Sequence, residues 1–174
     1  GDGIKEDRSF NLCMKKMITI SDNESANVLT KRLTKKGSFA AGKAVVNKYC
    51  RANGYTSTKF LVEMGKSSPK NVTNARDCGW ALERMYRNTA ISKKRSKKMI
   101  KLLKAQTRRG KIPAGIPEGV TVANKTGETT FAENDAAIVY SDGADYIIVV
   151  MSKNGKNSVS QIQKISKITY DWFN

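Results

Sequence analysis

The sequence predicts an α+β fold, in which a helical subdomain is followed by an antiparallel sheet flanked by helices. Through most of residues 4–111, apolar side chains recur at helical spacing. A stretch rich in proline and glycine, residues 112–119, then marks a change from helices to strands. Beyond it, two strand-like runs flank the hairpin signal Asp142-Gly143, and a last helical pattern ends the chain. We therefore predict two subdomains, residues 1–117 and 118–174.

The first two predicted helices meet at the triplet Ser21-Asp22-Asn23. Apolar residues at helical spacing lie on both sides of it: Phe10, Cys13, Met14 and Met17 before, and Ala26, Leu29 and Leu33 after. Ser21 and Glu24 fit a capping box, which predicts Ser21 as the N-cap of the second helix. That helix is expected to end near Lys35-Lys36-Gly37, where basic residues and a glycine form a stop signal.

Three more helices are predicted before the sheet, at residues 41–52, at 73–88 and from 93 onward. Residues 54–71 form a predicted long loop rich in Gly, Ser, Thr and Pro, and loops of this length in compact domains are often functional. Residues 93–111 contain ten basic residues and no acidic one. Lys94, Lys97, Lys101 and Arg108 are predicted to share one face, opposite Met99, Leu102, Leu103 and Gln106.

That basic face has two interpretations from sequence. It is either the solvated side of a helix packed on the core, or a surface for an anionic membrane or nucleic acid. No aromatic residues interleave with its charges, which disfavours base stacking. The net charge of +17 attracts polyanions in general, including the anionic polymers of a cell wall.

Composition excludes several kinds of site. The chain has no histidine, so a Ser-His-Asp triad, a Cys-His pair and a His-ligated zinc site are impossible within it. Proton transfer must fall to lysine, carboxylate or hydroxyl groups. Cys13, Cys50 and Cys78 are widely separated, which predicts buried free thiols and no metal site. Nothing in the sequence predicts a cofactor, and no apolar run is long enough to span a membrane.

A second motif, Lys125-Thr126-Gly127, follows the strand-like run 120–124 and lies 104 residues after Ser21. This order and separation resemble the class A β-lactamases and the related penicillin-binding serine hydrolases, including D-Ala-D-Ala carboxypeptidases. Their motifs run Ser-x-x-Lys, then Ser-Asp-Asn, then Lys-Thr-Gly. The runs Met-Ile-Thr-Ile-Ser-Asp-Asn and Ala-Asn-Lys-Thr-Gly-Glu both resemble sequences of this family, and the resemblance extends over essentially the whole chain.

The resemblance implies roles for three residues of the first subdomain. Ser21 would relay a proton towards the leaving nitrogen of the substrate, and Asn23 would donate to the substrate's amide side chain. In loop 54–71 the family carries a glutamate that activates the deacylating water, and Glu63 is the carboxylate available there. The family has an arginine two residues before that glutamate and an asparagine four residues after it, where this chain has Leu61 and Ser67. A solvated loop glutamate is the alternative interpretation.

Four residues of the second subdomain also receive roles from the resemblance. Lys125 would hold Ser21 at one shared site and add positive potential, and Thr126 would bind the substrate carboxylate. Gly127 would let the ligand lie against the strand. The backbone N–H of Glu128 would form half of an oxyanion hole.

The serine nucleophile of the family has no match in this chain. The only Ser-x-x-Lys sequence is Ser67-Ser68-Pro69-Lys70, which follows the Ser-Asp-Asn motif and contains a proline that disfavours a helix. We interpret it as a coincidence. The sequence therefore predicts the C-terminal two thirds of a serine hydrolase, without the N-terminal strands and the nucleophile helix, and inactive alone. Loss of those strands would expose the edge of the strand at 146–152, which predicts self-association.

Two other functions stay open. The first is a non-catalytic relative that binds peptidoglycan. The second is a basic domain that binds nucleic acid or another anionic polymer, which charge alone supports. The resemblance implies β-lactams or peptidoglycan peptides as ligands and disfavours nucleic acid. It also implies a location outside the cytoplasm, secreted or associated with the wall of a Gram-positive bacterium.

Overall fold

The computed structural model describes residues 6–66, 71–153, 155 and 157–174, and two compact units divide the chain, Gly1–Asp77 and Cys78–Asn174. Helices and strands coexist as predicted, which confirms the α+β class. The subdomain boundary after residue 117 stays a prediction. The described elements are α1 (Arg8–Thr19), α2 (Asn23–Lys31), α3 (Phe39–Ala52), α4 (Ala75–Tyr86), α5 (Lys93–Lys104), β1 (Thr121–Thr129), β2 (Ala132–Tyr140), β3 (Tyr146–Met151) and α6 (Ser158–Phe173), with a 3₁₀ turn at Ile112–Gly115.

In the first unit, α1 and α2 meet at the predicted triplet. The N-cap of α2 is Asp22, whose Oδ2 accepts from the Ser25 backbone N–H at 2.8 Å. The predicted capping box of Ser21 and Glu24 is therefore wrong. Ser21 cannot cap because it lies one residue too early and adopts a left-handed φ of 59°. Helix α2 ends at Lys31, one turn before its predicted end, in a turn that precedes the glycine stop.

The predicted long loop is confirmed over the described residues 54–66 and 71, which hold no helix and only one isolated bridge, between Lys59 and Val72. Side-chain amides fix its backbone. Asn27 of α2 accepts from the Met64 N–H at 2.8 Å and donates to the Met64 carbonyl at 3.1 Å. Asn71 accepts from the Leu61 N–H at 2.7 Å. Ser67-Ser68-Pro69-Lys70 lies outside the described residues.

An apolar cavity of about 560 Å³ opens within the first unit. Ser21, Asp22 and Asn23 are not among its lining residues, so it is a feature of the packing of α1, α2 and the loop. The lining consists of Phe10, Met14, Met17, Ala26, Leu29, Thr30, Leu33, Val46, Thr58, Lys59, Phe60, Met64, Asn71, Val72 and Thr73.

The second unit is built on an antiparallel sheet in the order β1-β2-β3. In its register Lys125 pairs with Ala136, and Thr126 pairs with Asp135. The predicted hairpin is confirmed, because residues 141–145 join β2 to β3. Helix α6 packs on the sheet and the 3₁₀ turn, and the core between them consists of Ile112, Ile116, Val122, Ala137, Val139, Tyr146, Ile148 and Ile162.

Helix α5 packs against β1 through buried Leu103. It ends at Lys104, so the prediction that Arg108 and Gln106 continue its two faces is wrong. Both residues lie in the irregular segment that leads to the 3₁₀ turn. None of the helices in the described ranges combines the length and the apolar composition that a membrane span requires.

All three cysteines are free thiols. Cys50 is buried, and burial raises the pKa of its thiol. Cys13 and Cys78 are only partly buried, so the expectation of buried thiols holds fully for Cys50 alone.

Candidate functional site

The first group of predicted site residues lies at the start of α2. Asp22 fixes the helix start, and its hydrogen bond from Ser25 lowers the pKa of the Asp22 carboxyl. Asn23 is the first residue of α2 and is exposed. A Cβ placed on Gly65 would lie 3.4 Å from the Asn23 side-chain nitrogen, so this amide lies beside the loop. The left-handed Ser21 and the capped helix thus present a hydroxyl and an amide two residues apart.

Glu63 lies in the same unit and already has cationic partners. Its carboxylate is 3.0 Å from Lys31 Nζ and 3.6 Å from Lys66 Nζ. The hydrogen bond from Lys31, with the charges of both lysines, lowers the pKa of Glu63. A carboxylate with a lowered pKa is a weaker proton acceptor, so these ion pairs oppose a role as general base.

The second group of predicted site residues is consecutive on β1. The Lys125 ammonium donates to the Thr126 carbonyl at 2.6 Å. Burial and the charge of Arg108 lower the pKa of Lys125 to about 8, and Asp135 and Glu128 only partly oppose this shift. Lys125 is therefore a cation that loses its proton far more readily than an ordinary lysine.

Thr126 and Gly127 provide a hydroxyl and space beside that cation. Thr126 is 5% exposed, and its Oγ1 has no hydrogen-bond partner among the described residues. Buried hydroxyls are normally paired. A Cβ at Gly127 would make only an ordinary contact, 3.7 Å from the Asn134 Cβ, so packing within the described residues does not require glycine here.

The Glu128 side chain belongs to an ion-pair network that the sequence analysis missed. Arg108 lies 2.7 Å from one carboxylate oxygen of Glu128, and Lys111 Nζ lies 3.1 Å from the other. Lys111 is only 5% exposed and also pairs with Glu133 at 2.6 Å. Partial burial alone would raise the pKa of Glu128, but the bond from Lys111 and the surrounding cations lower it. In the sequence, Lys111 is one more charge in a basic run, and no pattern there distinguishes it.

A buried polar pair, Asn124 and Asp135, stabilises the region around strand β1, which carries Lys125-Thr126-Gly127. Asp135 is 1% exposed and accepts from the Ile112 N–H at 3.0 Å and from the Asn124 side-chain amide at 3.1 Å. Burial raises the pKa of Asp135, and these hydrogen bonds only partly oppose that shift. Asn124, directly before Lys125, also donates to the Arg108 carbonyl. These bonds fix the segment before the 3₁₀ turn against β1.

The structure thus brings the predicted residues together in two sets. Lys125, Thr126, Gly127 and Glu128 share one strand of the second unit, with Arg108 and Lys111 next to them. Ser21 and Asn23 share the α1–α2 junction of the first unit. The second set offers cations, a buried hydroxyl and edge-strand backbone groups, which are chemically suited to an anion. The first set offers a hydroxyl and an amide.

The sequence matches the family model described as Beta-lactamase enzyme family over residues 4–173. This range contains both motifs and nearly the whole chain. No curated protein matches the sequence.

Solved structures match the fold closely. A variant of PBP-A, described as an acyl-enzyme complex with penicillin G, superposes with a TM-score of 0.83 at 23% identity, over 94% of this chain and 61% of that one. A β-lactamase from Sphaerobacter thermophilus gives 0.82 at 21%, over 94% and 62%. An ancestral class A β-lactamase gives 0.82 at 20%, over 94% and 65%. The predicted β-lactamase-like fold is confirmed, and the chain spans less than two thirds of these structures.

Proposed function

Because this chain belongs to the β-lactamase enzyme family, we propose that it is part of a serine hydrolase that forms an acyl-enzyme. Its substrates are β-lactams or the D-Ala-D-Ala-type peptides of the cell wall. The observation that carries the proposal is the family match across both Ser21-Asp22-Asn23 and Lys125-Thr126-Gly127. We place the protein outside the cytoplasm, secreted or wall-associated, in a Gram-positive bacterium.

In this proposal the strand motif binds the anionic end of the substrate. Lys125 supplies the cation, and the positive charges of Arg108 and Lys111 add to the potential around it. Thr126 donates its hydroxyl to the substrate carboxylate, which would satisfy the buried Oγ1. Gly127 leaves space for the ligand along the strand, and the Glu128 N–H serves the oxyanion.

The motif between α1 and α2, Ser21-Asp22-Asn23, acts on the leaving nitrogen and the amide side chain of the substrate. Ser21 relays a proton to the leaving nitrogen, as its place in the Ser-Asp-Asn motif implies. Asn23 donates to the substrate amide. Lys125, whose pKa is about 8, exchanges protons near neutral pH more readily than an ordinary lysine does.

Glu63 is the candidate base for deacylation in this proposal. Its ion pairs with Lys31 and Lys66 lower its pKa, so we expect deacylation to be slow and the acyl-enzyme to persist. The one Ser-x-x-Lys sequence of this chain, Ser67-Ser68-Pro69-Lys70, contains a proline and follows the Ser-Asp-Asn motif, so we do not assign the nucleophile to it. We therefore expect this polypeptide alone neither to hydrolyse nor to bind penicillins covalently.

Intact-mass spectrometry with penicillin G tests the proposal on two proteins, this chain and the longer natural protein that contains it. We expect a stoichiometric adduct on the longer protein and none on the isolated chain. In the longer protein Lys125→Ala should slow acylation by about 100-fold, whereas exposed Lys48→Ala should leave the rate unchanged.

The measurement on the isolated chain and the measurement on the longer protein test different parts of the proposal. An adduct on the isolated chain would overturn its expected inactivity. A longer protein that forms no adduct would overturn the hydrolase. If that protein still bound peptidoglycan, it would be the non-catalytic relative.

A further inference from the structure

Helix α5 presents an exposed row of lysines on its outer face. Lys93, Lys97 and Lys101 follow one another at intervals of four residues, about 6 Å apart along the helix axis, and Lys94 lies beside them. All four are exposed. We call these four residues the α5 lysine row. Within the described part of the chain, no carboxylate lies within ion-pair distance of any of them.

The row is electrostatically unfavourable for the helix that carries it. Like charges four residues apart repel on a helix surface, as Lys93 and Lys97 do here. Cations in the first turn also oppose the helix dipole, and that turn contains no acidic residue. Ser92 caps the helix through its hydroxyl, which is neutral. A bound polyanion would remove this repulsion.

The packing and composition of α5 bear on the two ligand surfaces that the sequence left open, one for an anionic membrane and one for nucleic acid. The apolar face of the helix lies on β1, with Leu103 5% exposed, so it cannot enter a lipid bilayer as an interfacial helix does. The row also lacks the groups that read bases. Helix α5 contains one arginine, Arg95, and no Asn, Gln or aromatic residue, so it offers few of the arginine forks, amides or aromatic rings that recognise or stack on nucleobases.

We propose that the α5 lysine row binds a linear phosphodiester polymer that carries no bases, of the poly(glycerol phosphate) type found in bacterial walls. Lysines act as point charges on phosphates, and a regular row matches a flexible chain of repeating anions. The site rests on charge and packing in the second unit, and the choice of a wall polymer rests on the location that the proposed function gives.

Titration with purified poly(glycerol phosphate) at several salt concentrations tests the proposal. We expect the affinity of the unmodified chain to fall steeply with salt, as counterion release requires. The triple variant Lys93→Gln, Lys97→Gln, Lys101→Gln should bind at least 10-fold more weakly and with a shallower salt slope. Glutamine preserves helix propensity.

A matched control separates the row from net charge. Lys15, Lys36 and Lys48 are exposed lysines of the first unit, and replacing all three by glutamine removes the same charge. We expect the control triple to bind almost as tightly as the unmodified chain. Equal weakening by both triples would overturn the proposal.

Two further measurements complete the test. Thermal unfolding of the α5 triple should give an unchanged or raised Tm, because repulsion is relieved, so weaker binding cannot be attributed to misfolding. Tighter binding of duplex DNA than of poly(glycerol phosphate) at equal phosphate concentration would overturn the choice of partner in favour of nucleic acid.

Discussion

Lys125 is a residue whose surroundings change its ionisation. Burial and the charge of Arg108 lower its pKa to about 8. An amine reacts with an acylating reagent only in its neutral form, so we expect Lys125 to be half-maximally reactive near pH 8. A lysine with the unperturbed pKa of about 10.4 would reach that point only above about pH 10. Peptide mass spectrometry after brief acetylation across pH 6–11 measures the profile of Lys125.

The lowered pKa of Lys125 also determines whether its charge stabilises or destabilises the fold. The folded state binds the Lys125 proton less tightly than the unfolded chain does, so the charged lysine destabilises the fold below about pH 8. The penalty disappears as the pH rises towards the unfolded value, near 10.4. A Lys125 profile with its midpoint near pH 10.4 would contradict both statements.

For single residues, the sequence predicts a chemical role only where the residue belongs to a recognisable motif. Lys125 and Thr126 were found through the resemblance. Lys111 was not, because its burial depends on Glu128 and Glu133, two carboxylates that only the pairing of β1 with β2 brings to it. The cap of α2 was misassigned to Ser21 because serine and aspartate are both good caps, and backbone conformation selects between them.

Asn27 joins α2 to the backbone of the long loop, alongside the ion pair between Lys31 and Glu63. It is 6% exposed and makes both a donor and an acceptor bond to the Met64 backbone. Asn27→Ala removes both bonds and leaves two backbone groups without their partner, so we expect a loss of about 1–3 kcal/mol. Urea unfolding followed by circular dichroism measures the change in the free energy of unfolding.

Asn23→Ala is the control for that experiment. Asn23 lies on the same helix but is exposed, and we expect its substitution to change stability by less than about 0.5 kcal/mol. If the two substitutions cost the same, the side-chain amide of Asn27 does not hold the loop.

At the scale of elements, apolar spacing predicted the helices well and their ends poorly. The predicted 41–52 and 73–88 correspond to α3 and α4 within a few residues. The ends of α2 and α5 were misplaced because lysine and arginine continue a helical pattern without any packing on that face. Asn27 of α2 and Met64 of the loop are 37 residues apart in the sequence. No local pattern predicts a contact between residues so far apart.

For the whole molecule, the sequence predicts an antiparallel sheet and an exposed edge along the strand at 146–152. In the described residues β2 is the central strand, and β1 and β3 are both edges. Edge strands with free backbone groups pair readily with other chains. The outer edge of β3 is apolar and is not shielded by a charged side chain on the strand.

We therefore expect the isolated chain to self-associate through β3, with an apparent mass that rises with concentration in sedimentation equilibrium. Met151→Lys places a charge at the end of this strand and should shift the equilibrium towards monomer, because lysine at an edge opposes strand pairing. Val159→Lys adds the same charge at a position equally exposed, 37% against 36% for Met151, but on α6. It should leave the association unchanged. A chain that stays monomeric at high concentration, or two lysine variants that behave alike, would rule out association through this edge.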